Sequence, residues 1–144
     1  MKVREVMTRN PHFVTPTHTI QQAAQTMAEI GAGVLPVGDN YRLMGMITDR
    51  DIAIYGVARG KGPNTPVGQV MTPEVKFCFE EDEVDEVTKR MGNLQLRRLP
   101  VLNRDKVLVG MISLGDIARN RDAAGRAGEA LSEISRVGGE HSGP

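Results

Sequence analysis

Apolar residues recur at Ile20, Ala23, Ala24, Met27 and Ile30, the three-and-four spacing of a helix that buries one face. Thr19, followed three residues on by Gln22, has the form of a capping box, and Gly31 predicts the end of that helix. Two short apolar runs follow, Val34 to Val37 and Leu43 to Ile47, separated by Gly38-Asp39-Asn40; they predict a hairpin or a pair of adjacent strands. A second helix is expected from Thr48. Further along, the pattern returns. Asp82 predicts the cap of a helix with Val84, Val87 and Met91 buried and Gly92 at its end. Leu99 to Leu102 and Val107 to Ile112 predict strands about a turn at Asn103-Arg104-Asp105, and Ser113 opens another helix. Each stretch reads strand, helix, strand, strand, helix.

Pro36 and Pro100 sit inside the first strand of each pair, where a missing N–H forbids a ladder bond; this predicts edge strands, or a stretch left to face something else. Ala123, Ala127, Ala130, Leu131 and Ile134 predict a last helix lying on the body or on a partner chain, and Gly138 to Pro144 are expected to be disordered.

The recurrence is a true repeat. At a shift of 64, Val3, Val6, Met7 and Thr8 fall on Val67, Val70, Met71 and Thr72, Met27 on Met91, and Leu35-Pro36-Val37 on Leu99-Pro100-Val101. After one inserted residue the shift becomes 65, and Leu43, Gly45-Met46-Ile47 and Asp51-Ile52-Ala53 meet Leu108, Gly110-Met111-Ile112 and Asp116-Ile117-Ala118. Two copies of so long a unit imply paired subdomains rather than a solenoid. We therefore expect an α/β chain with a first unit at 1–58, a Gly/Pro-rich linker at 59–66, a second unit at 67–121 and a C-terminal helix and tail at 122–144. Each copy alone would bury only a marginal core, so the two should need each other, related by a pseudo-two-fold axis.

Composition narrows the function. Eighteen basic residues balance eighteen acidic ones, which gives no general attraction to nucleic acid or anionic membrane. Cys78 is the only cysteine, so no internal disulfide forms. With no signal-like apolar run and no stretch of membrane-spanning length, a cytoplasmic protein is expected. The three histidines lack metal-ligand spacing, Gly60-Lys61-Gly62 lacks the spacing of a P-loop, and no nucleophile stands beside a base. Cys78 aligns with Val14 and reads as a small core residue.

The motif that remains is itself repeated: Gly45-Met-Ile-Thr48-Asp-Arg50-Asp51 and Gly110-Met-Ile-Ser113-Leu-Gly-Asp116. In each, a strand ends on a hydroxyl residue at a helix start, with a carboxylate three positions later. Such a pair can cap the helix. The same geometry can also hold a phosphate near the helix start and both hydroxyls of a ribose on the carboxylate, with Gly45 and Gly110 letting a ligand approach the backbone. Arg97 and Arg98 are further phosphate candidates, and Arg50 a weaker one.

With its paired Val-Met-Thr starts, Leu-Pro-Val strands and Gly-x-x-Thr/Ser-x-x-Asp motifs, the chain resembles the CBS-domain family from residue 1 to about 120. The resemblance implies a non-catalytic, regulatory pair with two clefts for AMP, ADP, ATP or related adenosyl compounds. It implies that Asp51 and Asp116 hold ribose and that Thr48 and Ser113 contact phosphate or ribose. The backbone at Val34, Leu35 and Pro36 and at Arg98, Leu99 and Pro100, with Thr15 and Phe79, would frame the adenine. A homodimer and a regulated protein of unknown identity are the expected partners. The rival readings are a structural dimerisation module with empty clefts, a nucleic-acid binder using residues 92–126, where seven Lys or Arg face three acids, and an unrecognised enzyme.

Overall fold

The computed structural model describes residues 1–73, 75–120 and 124–135. Its elements, in chain order, are β1 (Thr8–Arg9), α1 (Ile20–Ile30), β2 (Val34–Asp39), β3 (Arg42–Thr48), α2 (Asp49–Asp51), β4 (Cys78–Phe79), α3 (Val84–Leu94), β5 (Arg98–Leu102), β6 (Leu108–Ser113), α4 (Leu114–Ala118) and α5 (Ala124–Ile134). After α2 the chain continues as a π-helical stretch, Ile52–Gly56, and a 3-10 turn, Val57–Arg59.

The described residues of His12–Val75 pack as one body. Helix α1 begins at the predicted capping box: Gln22 N donates to Thr19 Oγ1 at 3.1 Å, and Thr19 N donates to Gln22 Oε1 at 2.9 Å. It ends at Gly31, whose φ of 67° is the left-handed conformation that a residue without Cβ adopts at little cost. Ile20, Ala23 and Met27 are buried, but Ala24 and Ile30 are exposed, because the covered stripe against β2 and the 52–56 segment is only one line of residues wide. Strands β2 and β3 form the expected hairpin, yet the turn falls at Asn40-Tyr41, with φ of 50° and 62°. A bulge between Val37 and Gly38 carries β2 on to Asp39 and moves the turn along. Single bridges flank the pair, Val14 to Val37 on one edge and Thr72 to Met46 on the other.

Met1–Pro11 and the described residues from Lys76 onward form the second body. Here the same plan is built more fully, as a four-stranded sheet in the order β1-β6-β5-β4. β5 is therefore not an edge strand, one of the two outcomes expected from Pro100. β4 pairs in parallel with Val101 and Leu102 only, so the proline lies just outside that ladder and costs it nothing. Asp82 does not cap α3 either: its Oδ2 accepts from Phe79 N at 2.9 Å and closes the preceding turn, while Glu83 is the N-cap. The helix runs past Gly92 to Leu94 and stops at Gln95, which takes φ of 57°. Gly92 is instead where α5 approaches, since a Cβ there would lie 3.2 Å from Ala130 Cα. Helix α5 packs on α3 and α4 through Ala127 and Ala130, whereas Leu131 faces solvent. Ala123 and residues 138–144, also singled out above, lie outside the described residues.

The expected division at 58 and 67 follows the repeat, and the packing cuts across it. Val3 and Met7 are buried in the core of the second copy with Cys78, Val84, Met91, Leu99 and Ile112. Val67 and Val70 are buried in the core of the first, with Ile20, Leu35 and Ile47. Backbone bonds repeat the exchange: Val3 N donates to Asp82 O at 2.9 Å and Arg4 N to Glu80 O at 3.0 Å, as Val67 N does to His18 O at 2.7 Å and Gly68 N to Pro16 O at 2.9 Å. Each copy is thus completed by the leading segment of the other.

Candidate ligand site

Strands β3 and β6 end on Thr48 and Ser113, both still extended, and each is the N-cap of the short helix that follows. Asp51 N donates to Thr48 Oγ1 at 2.9 Å and Thr48 N to Asp51 Oδ2 at 3.0 Å. In the other body Asp116 N donates to Ser113 Oγ and Ser113 N to Asp116 Oδ2, both at 3.0 Å. Both motifs therefore cap a helix, as their spacing allows. Capping consumes only Oδ2 of each acid and one lone pair of each hydroxyl, leaving Oδ1 as an acceptor and the hydroxyl proton as a donor. Capping and ligand binding are compatible uses of the same residues.

The two Oδ1 atoms differ. Asp51 is 9 % exposed, and its Oδ1 has no hydrogen-bond partner among the described residues. Asp116 Oδ1 accepts from the Arg119 guanidinium and, at 3.5 Å, from Thr8 Oγ1. Neither Thr8 nor Arg119 was singled out as a site residue from the sequence. The repeated Thr8/Thr72 pair was a signal for the first, and the three-residue spacing of Arg119 from Asp116 for the second.

The strand register sets Val34 opposite Thr48 and Arg98 opposite Ser113. Asp49 N donates to Gly33 O at 2.9 Å and Leu114 N to Arg97 O at 3.0 Å, so the start of each first strand is tied to the motif. Leu35, Pro36, Leu99 and Pro100 are buried, which leaves main chain rather than side chain to meet a ligand there. Arg97 and Arg50 are exposed and Arg98 is half-buried. Thr15 and Phe79 are not beside the motif of their own body: they follow Val14 and Cys78, alongside the far ends of β2 and β5. Gly45 and Gly110 do not open the backbone to a ligand. A Cβ at either would lie 2.7 Å from the carbonyl oxygen of Thr72 or Thr8 and within 3.0 Å of Met71 or Met7 Sδ, so these glycines admit the exchanged segment.

The family described as CBS domain matches this sequence twice, over residues 3–57 and 67–122. The chain belongs to the CBS-domain family. This CBS pair is 38 % identical over 133 residues to CBS domain-containing protein YhcV of Bacillus subtilis, an alignment that covers 92 % of this chain and 94 % of that one. Among solved structures it resembles CBSX2 in complex with AMP, with a TM-score of 0.72 and 26 % identity over 82 % of this chain and 93 % of that one. It also resembles the CBS domain pair of protein MJ0100 in complex with 5′-methylthioadenosine and S-adenosyl-L-methionine, with a TM-score of 0.72 and 26 % identity over 83 % and 94 %.

Elsewhere in this CBS pair the remaining candidates are accounted for. Cys78 is fully buried, and burial pushes its thiol up to about 12, with Asp82 adding to the rise and Arg90 opposing it. The acidic run after residue 79 is met by the exchanged segment and by the basic region: Arg4 reaches Glu81 at 2.8 Å, Arg104 reaches it at 3.7 Å, and the Met1 amine reaches Glu83 at 3.1 Å. A groove of about 680 Å³ between α3 and α5 is lined by Asp85, Lys89, Asn93, Glu129 and Glu133, none of them a motif residue. Among the described residues no helix is long and apolar enough to cross a membrane.

Proposed function

We propose that this chain is a regulatory module that binds an adenine nucleotide, AMP, ADP or ATP, at its two motifs and passes the occupancy to a partner protein. Asp51 Oδ1 and Asp116 Oδ1 accept from ribose hydroxyls, while Thr48 and Ser113 donate to ribose or phosphate. The observation that carries this reading is Asp51: a carboxylate 9 % exposed whose Oδ2 is used by the cap and whose Oδ1 has no partner among the described residues. That oxygen still reaches solvent, since no fully buried side-chain oxygen among the described residues lacks a partner, and it is therefore open to accept from a ligand hydroxyl. The adenosine compounds held by CBSX2 and the MJ0100 pair support the ligand class. Eighteen basic residues balance eighteen acidic ones along the chain, which argues against a nucleic-acid surface. The nucleotide acts on the partner by binding two states of the module unequally.

Calorimetry with AMP, ADP and ATP tests the reading. Saturation at about a hundred times the dissociation constant should raise stability by roughly 2.7 kcal/mol per independent site. Asp51→Asn keeps an acceptor for Thr48 N but sets an amide donor where the ribose would donate, so one site should be lost while the cap survives. If millimolar nucleotide gives the parent neither heat nor a melting shift, the proposal fails.

A further inference from the structure

The two motifs are alike in sequence and unlike in occupancy, and the difference lies in where each copy carries its arginine. In the second copy Arg119, one turn after Asp116, folds back so that its guanidinium covers Asp116 Oδ1. Gly115 lies beside the pair, with Arg119 Nη1 and Ser113 Oγ both 3.5 Å from where a side chain at 115 would begin, an ordinary contact distance. In the first copy the position matching Gly115 is Arg50, and the one matching Arg119 is Ile54. Arg50 is exposed and forms no ion pair among the described residues, and Asp51 Oδ1 is left open.

We propose that Arg119 makes the second-copy site selective for ligands that carry a phosphate, whereas the first-copy site takes the uncharged nucleoside as well. The inference rests on the nucleotide reading above. A ribose hydroxyl needs the oxygen that Arg119 holds, so the guanidinium must move before the sugar can bind. Its side chain is 73 % exposed, and so open an ion pair is weakly held and easily exchanged. What decides the outcome is where the guanidinium goes next. A ligand phosphate offers it a forked, charge-assisted pairing in place of the carboxylate. A nucleoside offers nothing, and the displaced charge must be rehydrated at the ligand's expense. At Asp51 no such exchange is needed.

The test isolates the second site by using the full chain with Asp51→Asn and measures AMP and adenosine by calorimetry, with and without Arg119→Ala. AMP should bind at least about tenfold tighter than adenosine, and Arg119→Ala should strengthen adenosine and weaken AMP until the two lie within about threefold. A ratio that Arg119→Ala leaves unchanged overturns this inference and leaves the nucleotide reading standing. Binding in the parent but none with Asp51→Asn shows that the second motif is not a site, and also overturns it. No binding of any nucleotide by the parent overturns both.

Discussion

Replacing Gly45 by alanine asks whether the repeated glycines serve the exchanged segment or a ligand. The new Cβ would lie 2.7 Å from Thr72 O and 2.9 Å from Met71 Sδ, closer than carbon atoms come to such neighbours. Met71 can swing its thioether aside, but Thr72 O cannot retreat freely. It accepts from Met46 N at 3.0 Å, and Thr72 N donates back to Met46 O at 2.8 Å. Overpacking of this kind costs about 1–3 kcal/mol, and weakening one of the two backbone bonds adds about 1 kcal/mol, so a loss of about 2–4 kcal/mol is expected. At about 3 °C per kcal/mol for a chain of this length, the melting point should fall by about 6–12 °C. Gly110→Ala should behave alike, since its Cβ would meet Thr8 O at 2.7 Å and Met7 Sδ at 2.8 Å. Gly62→Ala, with nothing within 4 Å and no left-handed φ, is the control and should melt within about 1 kcal/mol of the parent. Urea and thermal unfolding measure all three. A Gly45→Ala protein that melts like the Gly62→Ala control would refute the reasoning and return the glycine to the ligand.

Asp51→Ala should lose about 0.5–2 kcal/mol of ligand-free stability by removing the cap, while Asp51→Asn loses less than half as much; equal melting of the two variants would show that the cap contributes nothing. Gly31→Ala should cost about 1–2 kcal/mol through φ of 67° alone, since no atom lies within 4 Å of the new Cβ; an unchanged urea midpoint would contradict this. The Cys78 thiol, raised from 9.0 to about 12, is neutral in the folded chain while the unfolded one ionises, so its stabilisation is complete below pH 9 and is lost as pH rises from 9 toward 12. Unfolding of Cys78→Val should accordingly show a shallower alkaline slope, and a thiol reagent at pH 8 should label the parent only on unfolding. The exposed Ile54, Tyr55 and Val57 should be covered in a homodimer, so light scattering should find a dimer that Val57→Asp weakens; a monomeric parent at tens of micromolar would dismiss it.

Helix α1, both hairpins and both hydroxyl-carboxylate caps were legible because each is written in local spacing and then written again 64 or 65 residues later. The partner of each leading segment was not legible, because Val3-x-x-Val6-Met7-Thr8 and Val67-x-x-Val70-Met71-Thr72 show the same apolar face. Polar neighbours distinguish them. Arg4 finds Glu81, whereas the matching Gly68 sits so close to Pro16 that a Cβ would be 3.3 Å from it. Asp82 was misread because a turn and a helix start compete for the same carboxylate, and the turn at Phe79 won. The unequal Oδ1 atoms could not be seen in the motif, since they depend on an arginine outside it and on a threonine more than a hundred residues away.

The exchanged leading segment also sets an order of events during synthesis. The body built from His12–Val75 closes over short stretches of chain and has all its parts once residue 75 has emerged. Val3 must wait for Asp82, and Thr8 for Met111, so residues 3–9 are made before this body and placed after it. Until then an apolar Val-Met edge stays open in the stretch that precedes a finished body already holding its own copy of the same segment. A ribosome paused between residues 75 and 111 should therefore carry one protease-resistant body and a freely cleavable segment at residues 3–9.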